Sequence, residues 1–242
     1  MRGSRTENAT KNLTTGIVSK IILLGTTFLV RTLFIRILGA EYTGISSLYS
    51  NILSLLNLAE LGFGSVLTYE LYKPLKDNDT QSIMALVCLF KKIYTVIIFA
   101  VLGIGLCLIP FLKYIINSTL DEGPLLTYYV LYLIDSVASY FVVYRTMVIE
   151  ADQRKYITTA AEIASKFLMY IVQSIYLVLT RDFLGYLVLQ VCFTVLKNVS
   201  LHLISLKLYP FLKEAKDRKA VPQEVLNRIK RNVKAMFIAK VS

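Results

Sequence analysis

TVIIFAVLGIGLCLIPFL, residues 95–112, carries no charged side chain between Lys92 and Lys113. As an α-helix it would rise about 27 Å, close to the ~30 Å of hydrocarbon that some 20 apolar residues cross. Five more apolar runs flank it. With the central one, the expected spans are 17–38, 45–72, 94–112, 125–149, 157–180 and 183–208. The second is the most interrupted, holding Asn51, Asn57, Glu60, Gly62 and Gly64. The first contains Arg31 and lacks a small-residue cleavage site at its end, so it reads as a retained helix rather than a signal peptide.

The composition agrees with an all-α integral membrane protein. Of 242 residues, 55% are hydrophobic and 18% charged, and the mean hydropathy is +0.59, which excludes an ordinary soluble domain. The net charge of +11 would suggest nucleic acid in a soluble chain. Here the cations cluster between apolar runs instead of forming one stripe, so no nucleic-acid partner is expected. Cys88, Cys107 and Cys192 are far apart within apolar runs, and His202 is the one histidine. That pattern offers neither a disulfide framework nor a zinc site. No GxxxxGK[ST] loop is present. The expectation is a non-enzymatic protein with no cofactor, no metal and no catalytic residues.

The basic residues set the orientation. Lys and Arg accumulate in short cytoplasmic loops. Arg2, Arg5, Lys11 and Lys20 precede the first span, and Lys73, Lys76, Lys91 and Lys92 lie between the second and third. Arg145, Arg154 and Lys155 lie between the fourth and fifth, and a long basic series from Lys207 to Lys240 follows the sixth. The alternate loops offer Arg36, Lys113 and Arg181. Both termini are therefore expected in the cytoplasm. Apart from Lys113 to Pro124, the far-side connections, GAEY (39–42) and RD (181–182), are short, leaving no room there for a globular domain.

Residues 11–22, KNLTTGIVSKII, align with 231–242, RNVKAMFIAKVS, pairing Asn12 with Asn232 and Lys20 with Lys240. An even number of spans returns the chain to its starting side, so such a repeat would be parallel. The division expected is a six-helix transmembrane lobe over 1–208, a basic cytoplasmic linker over 209–233 and the start of a truncated seventh span over 234–242.

The stretch LGAEYTGISSLYSNILSLLNLAELGFGSVLTYELYKPL, residues 38–75, resembles the second-helix region of bacterial polysaccharide transporters. These are the lipid-linked oligosaccharide flippases of the multidrug/oligosaccharidyl-lipid/polysaccharide exporter superfamily. RTENATKN (5–12) supports the likeness, and IKRNVKAMFIAKV (229–241) looks like the entry to a second lobe. The resemblance implies one lobe of a two-lobe transporter fold, multi-pass in a bacterial cytoplasmic membrane. Its cargo would be an undecaprenyl-diphosphate-linked oligosaccharide or polysaccharide repeat unit, moved to the outer leaflet. Implied partners are that lipid-linked oligosaccharide, the enzymes of polysaccharide biosynthesis and a second lobe, supplied by a C-terminal half or another chain.

Ionisable residues within the spans mark the candidate site, since each costs ~2.5–3.5 kcal/mol on insertion scales unless paired or hydrated. Arg31, Lys166 and Lys197 are the candidate cavity cations, because a diphosphate needs cationic partners along its path. Asn51, Asn57, Glu60 and Asp135 are candidate sugar or ion contacts, and Ser54 could join them. For each there is a structural alternative. Glu162 stands four residues before Lys166 and could neutralise it. Glu60 or Asp135 could pair with Arg31 or Lys197 between helices, and the Asn and Ser side chains could hold helices together. Two other functions fit the pattern: a drug or cation antiporter using Asp135 and Glu60, and a non-transporting scaffold that docks glycosyltransferases through its basic tail.

Overall fold

The computed structural model describes residues 5–56, 63–115, 122–213 and 221–241. Among these residues every regular element is helical. The helices are α1 (Arg5–Leu56), α2 (Phe63–Lys76), α3 (Thr80–Ile115), α4 (Glu122–Ser139), α5 (Val143–Ala151), α6 (Lys155–Thr180), α7 (Phe183–Leu208) and α8 (Gln223–Val241). A short 3-10 turn, Pro210–Lys213, follows α7. Four of them, α1, α3, α6 and α7, are long and apolar enough to cross a membrane, and α4 with α5, bent by 40°, makes a fifth candidate. The chain has the architecture of an all-α membrane protein.

The first two expected spans meet within α1, whose 52 residues would make a straight rod of about 78 Å. A single residue interrupts it. Gly39 has φ 89° and ψ 179°, a conformation that a residue with a Cβ enters only under strain. Arg31 and Ser47 stand eight residues before and after Gly39, and their side chains hydrogen-bond at 3.2 Å. Sixteen residues of unbroken helix would hold them about 24 Å apart, so the arms 5–38 and 40–56 fold back on each other. The expected GAEY turn contracts to one non-helical glycine.

The fourth expected span is broken at residues 140–142, between α4 and α5. No Gly or Pro marks the place. The chain tightens there into three-residue steps, with the Tyr140 amide donating to the Val137 carbonyl and the Phe141 amide to that of Ala138, both at 3.2 Å. Asn198 of α7 donates from Nδ2 to the same Ala138 carbonyl at 2.6 Å, so a neighbouring helix supports the break. The α6–α7 connection is as short as expected. Arg181 is left-handed (φ 55°), and the Asp182 carboxylate caps α7 by accepting from the Leu184 amide at 3.0 Å and the Gly185 amide at 2.8 Å.

Helix α1 packs on α6, α6 on α7, α7 on α4, and α4 back on α1, which closes a ring. Helices α2, α3 and α5 form a second group beside it, joined through α3–α4 and α5–α7. The approach of α3 to α4 is close at Gly105, where Leu133 occupies the space a Cβ would need and the Tyr129 hydroxyl donates to the Gly105 carbonyl at 2.9 Å. Helix α3 is about 54 Å long for its 36 residues, more than a bilayer core requires. Its first part buries Ile83, Leu86, Val87 and Phe90, while α2 runs beside it.

The C-terminal helix begins inside the stretch expected to be a linker and continues unbroken across residues 233 and 234. Its apolar face, Val225, Ile229, Val233 and Met236, packs against the rest of the protein, as does Val221 just before it. Arg228 clasps the buried Glu70 of α2, with Nε donating to Oε1 at 2.7 Å and Nη2 to Oε2.

Candidate functional site

The ring of α1, α4, α6 and α7 encloses an open cavity of about 520 Å³. Its polar lining has a direct cause: each ring helix carries a few uncharged or charged polar residues at helical spacing on one face. Ser46, Ser47, Ser50 and Ser54 follow one another down the second arm of α1, and Asp135, Ser136 and Ser139 do so on α4.

Arg31 of α1, Lys166 of α6 and Lys197 of α7 all line this cavity, together with Asp135 and Ser54. The three cations come from three helices and far-separated parts of the chain. Among the described residues none of the three has a carboxylate at ion-pair distance; the four ion pairs are Lys11–Glu7, Arg154–Asp152, Lys155–Glu150 and Arg228–Glu70. The expected alternative of a Glu162–Lys166 pair is thus not formed. Asp135 is engaged otherwise. Its Oδ2 accepts from Gln190 Nε2 at 2.7 Å and its Oδ1 from Thr194 Oγ1 at 2.5 Å, so α7 satisfies the carboxylate with neutral donors. Arg31 donates to the Ser47 hydroxyl and has no carboxylate in contact among the described residues.

Asn51 is exposed and stands apart from the cavity lining. Asn57 and Glu60 lie outside the described residues. His202 is also elsewhere, on an apolar groove with Leu102, Phe141 and Val195. Among the described residues no group of three His, Cys, Asp or Glu side chains could hold a metal ion.

Several lining residues gave no clear signal in the sequence. Gln173 of α6 is fully buried; its Nε2 donates to the Tyr186 carbonyl at 3.0 Å, and its Oε1 has no partner among the described residues. Tyr132, Tyr170 and Tyr186 line the same space, with the Tyr132 and Ser46 hydroxyls hydrogen-bonded to each other. The one available cue for Gln173 was an amide alone among apolar residues in FLMYIVQSIYLVL, residues 167–179. Beyond Tyr186 the cavity ends in a cluster of rings. Phe34 meets Phe183 edge-on at 5.6 Å and Tyr186 at 5.3 Å, and Phe183 meets Tyr128 at 4.7 Å and Tyr42 at 5.3 Å.

No family model matches the chain, and no curated protein or solved structure is significantly similar to it.

Proposed function

We propose that the chain is one lobe of a flippase that carries a lipid-linked oligosaccharide or polysaccharide repeat unit across a bacterial cytoplasmic membrane. The observation that carries the reading is the meeting of Arg31, Lys166 and Lys197 around one cavity without an acidic partner in contact. Three cations around one cavity at bilayer depth are costly unless water, an anion or nearby carboxylates accompany them. A diphosphate on a polyprenyl chain is an anion that must pass that depth. Arg31 offers it a planar fork and the lysines two compact charges.

The topology of this reading has six spans and two cytoplasmic ends. Gly39 divides α1 into two arms, and α3, the bent α4–α5 pair, α6 and α7 supply the rest. The loop cations give the orientation. A cation antiporter is the second reading, and it draws on Asp135, a carboxylate facing the same cavity.

Lipid-linked substrate flipping in proteoliposomes, with any second lobe supplied, tests the choice. Arg31→Ala and Lys197→Met should each lower the initial rate about tenfold without lowering the protein recovered in the membrane, and Arg31→Lys should recover part of the loss. Unchanged rates in both variants would remove the cargo-binding role. Loss of transport on Asp135→Asn alone, with a proton gradient as the driving force, would favour the antiporter.

A further inference from the structure

The ring helices run alternately up and down, so residue numbers give the levels of the cavity. Phe34, Tyr132, Gln173 and Tyr186 stand at one level, beside the aromatic cluster, as the Gln173–Tyr186 hydrogen bond and the Phe34–Tyr186 ring contact require. Ser54, Ser139, Lys166 and Lys197 stand toward the other end, which in the topology proposed above faces the cytoplasm. The two levels differ chemically. The lower one has the two lysines; the upper one has phenol rings, an amide and hydroxyls, with Arg31 at its side, hydrogen-bonded to Ser47 next to the Ser46–Tyr132 hydroxyl pair. Tyr170 lies between, its hydroxyl 3.5 Å from that of Thr27.

A surface of aromatic faces and a few fixed hydrogen-bonding groups suits a group that is apolar on its faces and hydroxylated at its rim. The buried Gln173 Oε1 is an acceptor left unpartnered among the described residues, and a hydroxyl is the donor that would complete it. The Gln173–Tyr186 bond uses one N–H of the amide and fixes which way it faces.

We infer that the cavity is graded, with Lys166 and Lys197 receiving the diphosphate and Gln173, Tyr170 and Tyr186 reading the sugar ring ahead of it, toward the closed aromatic end. This rests on the flippase reading. It makes Gln173 and Tyr170 specificity-determining residues, separate from the charges that give general affinity. A site that satisfies a buried acceptor through a substrate hydroxyl discriminates against analogues lacking that hydroxyl.

Calorimetric titration of the whole chain in nanodiscs separates the two ends. The probes are a short polyprenyl diphosphate, bare or carrying glucose, galactose or N-acetylglucosamine on its terminal phosphate. At least one glycosylated probe should bind ~10-fold more tightly than the bare one, the increment of a satisfied buried hydrogen bond. Gln173→Met and Tyr170→Leu should erase that increment and leave bare diphosphate binding within about twofold of the unmodified chain. Lys197→Met should weaken bare and glycosylated probes alike. An unmodified chain that binds the bare probe and gains nothing from any sugar would overturn the inference, as would an increment that survives both variants. Should Gln173→Met disturb the fold and lose the bare probe, Tyr170→Leu decides. Failure of the unmodified chain to bind any of the probes would instead remove the flippase reading itself.

Discussion

At the scale of single residues, the polar side chains away from the cavity hold the ends of helices together. Asn12 grips the α5–α6 turn from both sides: its Nδ2 donates to the Gln153 carbonyl at 3.0 Å and its Oδ1 accepts from the Tyr156 amide at 2.7 Å. The Tyr209 hydroxyl donates to Asp152 at 2.8 Å. The Glu70–Arg228 pair is the strongest of these fastenings because the Glu70 side chain is only 2% exposed. The carboxylate beside it raises the Arg228 pKa still further above its ordinary value, so the cation persists at any physiological pH. Arg228→Ala leaves a buried carboxylate uncompensated at a cost of about 3 kcal/mol. Amide exchange over residues 223–233 should then quicken roughly 100-fold. The double replacement Glu70→Leu with Arg228→Leu should return most of the protection, because an apolar pair of similar size needs no partner. Equal exchange in all three proteins would show that α8 is held by its apolar face alone. Legibility at this scale followed cost. Arg31, Lys166, Lys197 and Asp135 stood out because charge within an apolar run demands an explanation, whereas Gln173 and the serines are compatible with either helix packing or a lined cavity.

At the scale of elements, hydropathy located α6 and α7 nearly to the residue, since both are predominantly apolar and are bounded by Arg181–Asp182 and by the basic ends. It placed the core of α3 but not its first part, where burial against protein takes the place of burial in lipid. The break after α4 had no sequence signal, and the group that supports it, Asn198, sits on another helix. Gly39 was the reverse case, a local signal with a local effect. Its backbone lies where a Cβ is strained although the space around it is open. Gly39→Ala should therefore destabilise the protein by ~1–3 kcal/mol through conformation rather than clash. Thermal unfolding in detergent checks this, with Gly25→Ala as the comparison, a helical glycine also in open space. Alanine at position 25 should be neutral or slightly stabilising by helix propensity. A fall of equal size at both positions would mean that the turn at residue 39 tolerates a side chain.

At the scale of the molecule, the topology proposed from the loop cations puts the helix ends that carry Asn78 and Arg181 on opposite sides of the membrane. A chain with its three cysteines replaced by serine, bearing Asn78→Cys or Arg181→Cys, should react with a membrane-impermeant maleimide in intact cells only at position 181. Reaction at position 78 would invert the proposed topology. The ring of four helices was not legible from sequence, because span order does not say which spans touch. Nor could the likeness of residues 38–75 supply it. What the apolar runs did convey was a deep ionisable residue on each ring helix, Arg31, Asp135, Lys166 and Lys197.

The overlong α3 has a practical consequence. With α2 beside it and α8 clasped to α2, the proposed topology puts helical mass beyond the bilayer on one side, whereas the described residues of the other side include the tight links at Gly39 and Arg181–Asp182. Membrane proteins of this size usually present little for particle images to align on. In a nanodisc this lopsided profile would serve as a built-in fiducial, telling the two faces of the disc apart in each projection without an antibody fragment.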